Sequence, residues 1–136
     1  MMIIDKKIDN FLSQTLVAVL ATVDDDGLPC VAPIWFTWEN KSAVMFTGSK
    51  TRKWINLSKV PYASLCVDWR IPPYKSVIIS GHIEKINRPI YDLVYGMAMR
   101  YYGEKDGRDF AEGYKYNNSD VVVFQLKPDK IASYLD

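Results

Sequence analysis

The sequence predicts a mainly β protein, an antiparallel barrel of six or seven strands with three helices at its periphery. Two observations carry that prediction. Apolar, β-rich runs recur along the chain with short polar turns between them, and the helix-like stretches fall outside those runs. A doubly wound α/β sheet would instead alternate strand and helix. The 136 residues fit one domain, 1–136, and leave no room for two separate cores. With 49% hydrophobic and 24% charged residues the composition is globular. A chain of this size buries roughly 68% of its unfolded surface.

Residues 5–14, DKKIDNFLSQ, put Ile8, Phe11 and Leu12 on one helical stripe opposite Lys6, Asp9 and Asn10, which predicts a short amphipathic lid helix. From Leu16, VAVLATV is a strand that stops at Asp24-Asp25-Asp26-Gly27, where the Asp-Gly pair suits a hairpin turn. The returning strand PCVAPIWFTW carries Pro29 and Pro33, which cannot donate to a ladder and so mark a free or irregular edge. Glu39 to Ser42 turns the chain again and AVMFT is a third strand, so residues 16–47 are expected to form an antiparallel meander.

Gly48 to Thr51 forms a loop into a capped helix, TRKWINLSK. ASLCVDW is the next strand, IPPY a rigid loop, and KSVIISGHIEKI a long strand in which Gly81 predicts a bulge or tight bend. Asn87-Arg88-Pro89 opens a helix through Tyr102, and DGRDFAEGYKY is a weaker helical stretch. DVVVFQLKPDKIASYLD reads as a strand, a turn at Lys127-Pro128-Asp129 and a short final strand.

Seventeen basic and 16 acidic side chains give a net charge of +1, so bulk attraction to nucleic acid is not expected and any partner is read by a local site. No apolar run approaches the roughly 20 residues of a membrane span, and MMIIDKKIDNF has no cleavable signal pattern. The expectation is a cytoplasmic protein with neither membrane nor nucleic acid as partner. Cys30 and Cys66 fit neither a close metal-ligand pair nor a disulfide framework and read as reduced core residues. With His82 as its one histidine, the chain has no multi-histidine metal site and no metal is expected.

The segment FTGSKTRKWINL, Phe46 to Leu57, is chemically the most informative, because Thr51, Arg52 and Lys53 meet at a helix start beside Lys50. The free amides of a first helical turn and the helix dipole attract anions. Arginine adds a forked contact and lysine a point charge, a combination suited to a phosphate dianion. The same residues would also serve as a solvated cationic face. Neither GxxxxGK[ST] nor a GxGxxG after the first strand is present, so the two commonest nucleotide cradles are missing.

From Leu16 to Ile86 the order of these segments resembles the pyridoxamine 5'-phosphate oxidase-like flavin-binding split-barrel family. The most specific match is Phe46-Thr47 followed by Thr51-Arg52-Lys53, which resembles the family's aromatic-Thr pair and Ser-Arg-Lys phosphate clamp. Asn56 to Trp69 is similar to the family's helix end, proline and next strand. The resemblance implies a split barrel that binds FMN, with Arg52 and Lys53 on its phosphate, Thr51 in support and Lys50 as a third charge. It also implies that Phe46 and Thr47 line the flavin, and that Val31, Ala32, Pro33, Ile34 and Trp35 lie along the isoalloxazine edge. Lys75 falls near the position of a polar residue that reaches the ring in relatives.

The resemblance further implies a homodimer with the cofactor in the groove between subunits, and oxidoreductase chemistry on a small-molecule substrate. No residue is assigned a catalytic role. The lysine-rich clamp and the PPY loop also resemble the branch that uses the deazaflavin F420, whose phosphate and acidic tail would meet Lys50, Arg52 and Lys53. A non-catalytic flavin or haem-binding module, with His82 as haem ligand, is a third reading. Trp35, Trp54 and Trp69 suit a core as well as a cofactor site. No Arg-Pro-rich segment precedes Asp136, so true pyridoxamine phosphate oxidase activity is not expected.

Overall fold

In the computed structural model, which describes residues 3–115 and 120–136, the alternating runs pair into one antiparallel sheet of seven strands. They are β1 (Ala18–Val23), β2 (Pro29–Ile34), β3 (Thr37–Glu39), β4 (Ser42–Gly48), β5 (Tyr62–Trp69), β6 (Lys75–Lys85) and β7 (Val121–Tyr134). In space the order is β2-β1-β5-β6-β7-β4-β3, and the sheet curls into a half-barrel. Four helices flank it among the described residues: α1 (Lys6–Leu12), α2 (Arg52–Lys59), α3 (Ile90–Tyr102) and α4 (Glu104–Glu112). The expected mainly β split barrel is the observed architecture.

Period-two alternation places the core. Ladder partners Ala18 and Val67, Leu20 and Leu65, Val77 and Val67, and Ile79 and Leu65 all point inward and are almost fully buried. Burying each of these valine, leucine and isoleucine side chains contributes about 1.5–3 kcal/mol. Phe11 and Leu12 of α1 and Leu57 of α2 complete this core. A second core forms where α3 and α4 cover the β4–β7 pair, with Leu93, Val94, Met97 and Ala111 against Val44 and Val123. Hydrophobic stripes on α1 and α3 thus dock on two different parts of one sheet.

Several expectations are met locally. The Asp24 carboxylate accepts from the Asp26 and Leu28 amides at 2.9 Å, and Gly27 takes φ +79°, which closes the β1–β2 turn. Asn40 and Lys41 both have positive φ, as a tight β3–β4 hairpin requires. β2 pairs only with β1, so Pro29 and Pro33 do sit on an edge strand. At Gly81 the β6–β7 register shifts, and an added Cβ would collide with the Lys127 carbonyl.

Other expectations are corrected. Residues 29–38 are not one strand, because the chain leaves β2 at Trp35 and Phe36 and crosses to the far edge of the sheet. The meander therefore fails: β4 pairs with β3 and β7, not with β2. Phe36 is 1% exposed in the core with Phe11, Leu12 and Leu57, and the Tyr101 hydroxyl of α3 bonds its backbone; these contacts replace continued pairing at the crossing. The chain end carries no turn at Lys127-Pro128-Asp129. β7 runs through, with Asp129 absorbed at the register shift, and beyond Leu126 it pairs with β6 alone, so Pro128 costs no hydrogen bond on the other side.

The helix count is four rather than three, since Gly103, at φ +88°, separates α3 from an independent α4. That helix starts at Glu104, and Tyr116 of the expected helical stretch lies outside the described residues. Cys30 and Cys66 are free thiols, but both are half-buried rather than core residues. Burial pushes the Cys66 thiol above its ordinary value.

Candidate functional site

The end of β4 and the start of α2 are stitched together by threonines. Thr51 caps α2 by accepting from the Trp54 amide at 3.3 Å, donates to the Gly48 carbonyl at 2.9 Å, and lies 3.1 Å from the Thr47 hydroxyl. A Cβ at Gly48 would stand 3.4 Å from the Thr51 methyl. The amides of Arg52 and Lys53 therefore open a helix whose dipole favours an anion.

The charges at this helix start are uncommitted. Of five arginines, Arg70, Arg88 and Arg108 hold carboxylates and Arg100 bonds Thr37 and two backbone carbonyls. Arg52 alone makes no ion pair or hydrogen bond among the described residues, although it shares a small recess with Asp24, Asp25 and Asp26. Lys50 and Lys53 likewise form no ion pair there. Cations left without a partner beside a helix N-terminus can attract an anion.

Next to them opens a cavity of about 380 Å³. Pro33, Ile34, Trp35, Phe46 and Thr47 form its strand-side wall, Tyr102, Phe110 and Tyr114 the helix-side wall at α3 and α4, and Lys53 of α2 completes the lining. Trp35 stacks on Tyr101, with centroids 4.8 Å apart and planes 4° from parallel. The Tyr101 hydroxyl donates to the Leu16 carbonyl at 2.8 Å, with the Phe36 carbonyl 3.2 Å away, and accepts from the Phe36 amide at 3.4 Å. Burial raises the Tyr101 phenol above its ordinary value, so it remains a neutral donor. A larger groove of about 770 Å³ lies between Lys85–Ile90 and Val121–Val123, but its arginine, Arg88, is already paired with Glu39 at 2.9 Å.

Six of the residues named from sequence thus meet in one cavity, and Thr51 and Arg52 stand at its helix. Lys50 is exposed in the loop before α2. Val31 is 70% exposed on the outer side of β2 and Ala32 is half-buried; neither lines the cavity. Lys75 opens β6 opposite Trp69, also outside it. His82 packs edge-on against Tyr62 and is not a wall residue, so the cavity has no haem-ligating histidine. Among the described residues no group of three or more His, Cys, Asp or Glu side chains could hold a metal.

Sequence reasoning missed the helix-side wall. Phe110 and Tyr114 stand four residues apart in an otherwise polar stretch, and that spacing was the available signal. No helix among the described residues is long and apolar enough to cross a membrane.

The family profile described as pyridoxamine 5'-phosphate oxidase matches residues 4–134. A pyridoxine/pyridoxamine 5'-phosphate oxidase from Chromohalobacter salexigens is 34% identical over 82 residues, which cover 60% of this chain and 38% of that protein. A second curated relative, from Acidothermus cellulolyticus, is 32% identical over 77 residues, 57% of this chain and 34% of its own length, so the chain spans little more than a third of these relatives. Among solved structures, an F420 reductase superposes with a TM-score of 0.76 at 22% identity, covering 95% of this chain and 98% of that one. The profile covers nearly the whole chain, and with it the curled seven-stranded sheet: the chain belongs to the pyridoxamine 5'-phosphate oxidase family.

Proposed function

We propose that this chain is a flavin-binding oxidoreductase that holds FMN at the start of α2 and acts on a small organic acceptor. The observation that carries this reading is the uncommitted guanidinium of Arg52 beside Lys53 and the capped helix start, next to a cavity walled by aromatic rings. The residues present suit such a cofactor. Arg52, Lys53 and the first-turn amides would take its phosphate, and Phe46, Thr47 and Pro33 to Trp35 would meet its ring system. When bound, the flavin supplies the electron transfer. The chain binds the phosphate, orients the ring and limits water access through its aromatic walls.

The deazaflavin F420 is the second reading, favoured by the likeness to an F420 reductase and by Lys50 as an additional free cation. We also infer a homodimer and a cytoplasmic location. The outward sheet face supports the dimer: one row across four ladders reads Pro33, Val19, Cys66, Ile78 and Ala132, with no charge in it. A second copy would cover that face.

The visible absorbance spectrum of the purified protein, with mass spectrometry of whatever heat releases, tests the cofactor. An FMN spectrum and mass is expected; uptake of F420 but not FMN moves the assignment to the deazaflavin. Replacing Arg52→Ala together with Lys53→Ala is expected to weaken cofactor binding strongly, since each charge-assisted contact is worth about 1.5–3 kcal/mol, or roughly tenfold to a hundredfold. Unchanged affinity in the double variant removes both residues from the site.

A further inference from the structure

The helix-side wall of the cavity has no part in the phosphate contacts, and the ring contacts assigned to the cofactor all come from Phe46, Thr47 and Pro33 to Trp35. Its rings form a continuous arc. Trp35 meets Phe110 at 5.1 Å between centroids, Phe110 meets Tyr114 at 5.5 Å, and Tyr114 meets Phe46 at 5.6 Å, edge-on. Tyr102 closes the outer side against Trp35 and Phe110 at 5.1 and 5.4 Å. The Tyr102 and Tyr114 hydroxyls bond no other described residue, so both can donate to a ligand.

Two features hold this arc in place. Gly107 lets α4 cross α3 so closely that a Cβ there would stand 2.6 Å from the Ala98 carbonyl, which fixes Phe110 one turn further along. Trp35 is clamped from its other face by Tyr101, whose hydroxyl is tied to the Leu16 and Phe36 backbone. An open cavity with one aromatic wall and phenol hydroxyls in its lining favours a flat ligand bearing an oxygen acceptor, because rings gain stacking on that wall.

Resting on the flavin reading for its place in a reaction, we infer that the wall formed by Tyr102, Phe110 and Tyr114 is the acceptor-binding subsite and selects planar aromatic carbonyl compounds. Phe110 selects for the flat ring, and the tyrosine hydroxyls orient the carbonyl. Binding itself does not depend on which cofactor is present.

The test compares 2-acetylnaphthalene with its saturated counterpart 2-acetyldecalin by equilibrium dialysis against the full chain carrying whatever cofactor it retains. At least a tenfold preference for the aromatic ketone is expected. Phe110→Leu, which keeps bulk but removes the ring, is expected to cut that preference below threefold while cofactor retention is unchanged. Tyr114→Phe is expected to lower affinity for the ketone and keep the ring preference. Equal binding of the two ketones, or a preference that survives Phe110→Leu, overturns the inference. Displacement of the cofactor by 2-acetylnaphthalene also overturns it, since that wall would then be the cofactor's own. Ring preference in a protein that holds no flavin would support the subsite and overturn the flavin reading alone.

Discussion

Asp9 shows how one side chain ties the lid helix to the sheet. Its carboxylate accepts from the Lys41 ammonium and from the Trp38 indole, both at 2.6 Å. The Lys41 contact first, and then the Trp38 bond, hold its pKa below the ordinary 3.8. A carboxylate with a depressed folded-state pKa adds stability above its unfolded value and loses it as pH falls through the folded one. Asp9→Asn is therefore expected to lower stability at neutral pH by less than about 1 kcal/mol, the range of exposed pairs. The gap should close below pH 3.8 in urea titrations taken across pH. A gap independent of pH would mean that the charge contributes nothing.

Among the elements, α4 depends most on a single position. Its sequence is polar apart from Phe110 and Ala111, and propensity alone would leave a nine-residue helix marginal. Tertiary contact supplies the rest: Ala111 is buried in the second core, and Gly107 sits against the α3 backbone. Gly107→Val is expected to cost about 1–3 kcal/mol, as overpacking of a tight contact does. It should also weaken the ring preference by moving Phe110, while leaving the proposed phosphate site on α2 intact. Measured together, chemical denaturation and dialysis separate this from a global loss of fold, in which cofactor affinity would fall as well.

For the molecule as a whole, the two faces of the sheet have different destinations. The inner face is closed by α1 and α2, whereas the outer row from Pro33 to Ala132 meets no helix core. Ile78, beside the central Cys66, is 39% exposed, and the neighbouring Ser64 and Ser80 hydroxyls satisfy each other at 2.6 Å. A homodimer through this face predicts that Ile78→Lys yields a monomer by sedimentation velocity at micromolar concentration. If the cofactor groove is shared between copies, that variant also loses FMN. A monomeric parent chain that binds FMN tightly would contradict the shared site.

Hydrophobic period, turn chemistry and the Thr51-Arg52-Lys53 cluster are local properties, so the strands, the Asp24 to Gly27 turn, the α2 start and the edge position of β2 were all legible in the sequence. The departures share a different cause. Crossing from β2 to β3 at Trp35 and Phe36 and continuation of β7 through Pro128 each depend on a partner distant in the chain, Tyr101 and Gly81, whereas the independence of α4 turns on the positive φ of Gly103 and the close approach of Gly107 to Ala98. The site divides in the same way. Arg52 and Lys53 announced themselves as cations at a helix start, whereas the facing wall of Tyr102, Phe110 and Tyr114 came from a stretch with no local motif. The sequence by itself determined a β sheet with an anion-ready helix; only the tertiary structure decided what faces it, because packing α3 and α4 over β4 and β7 is settled by contacts no local pattern encodes.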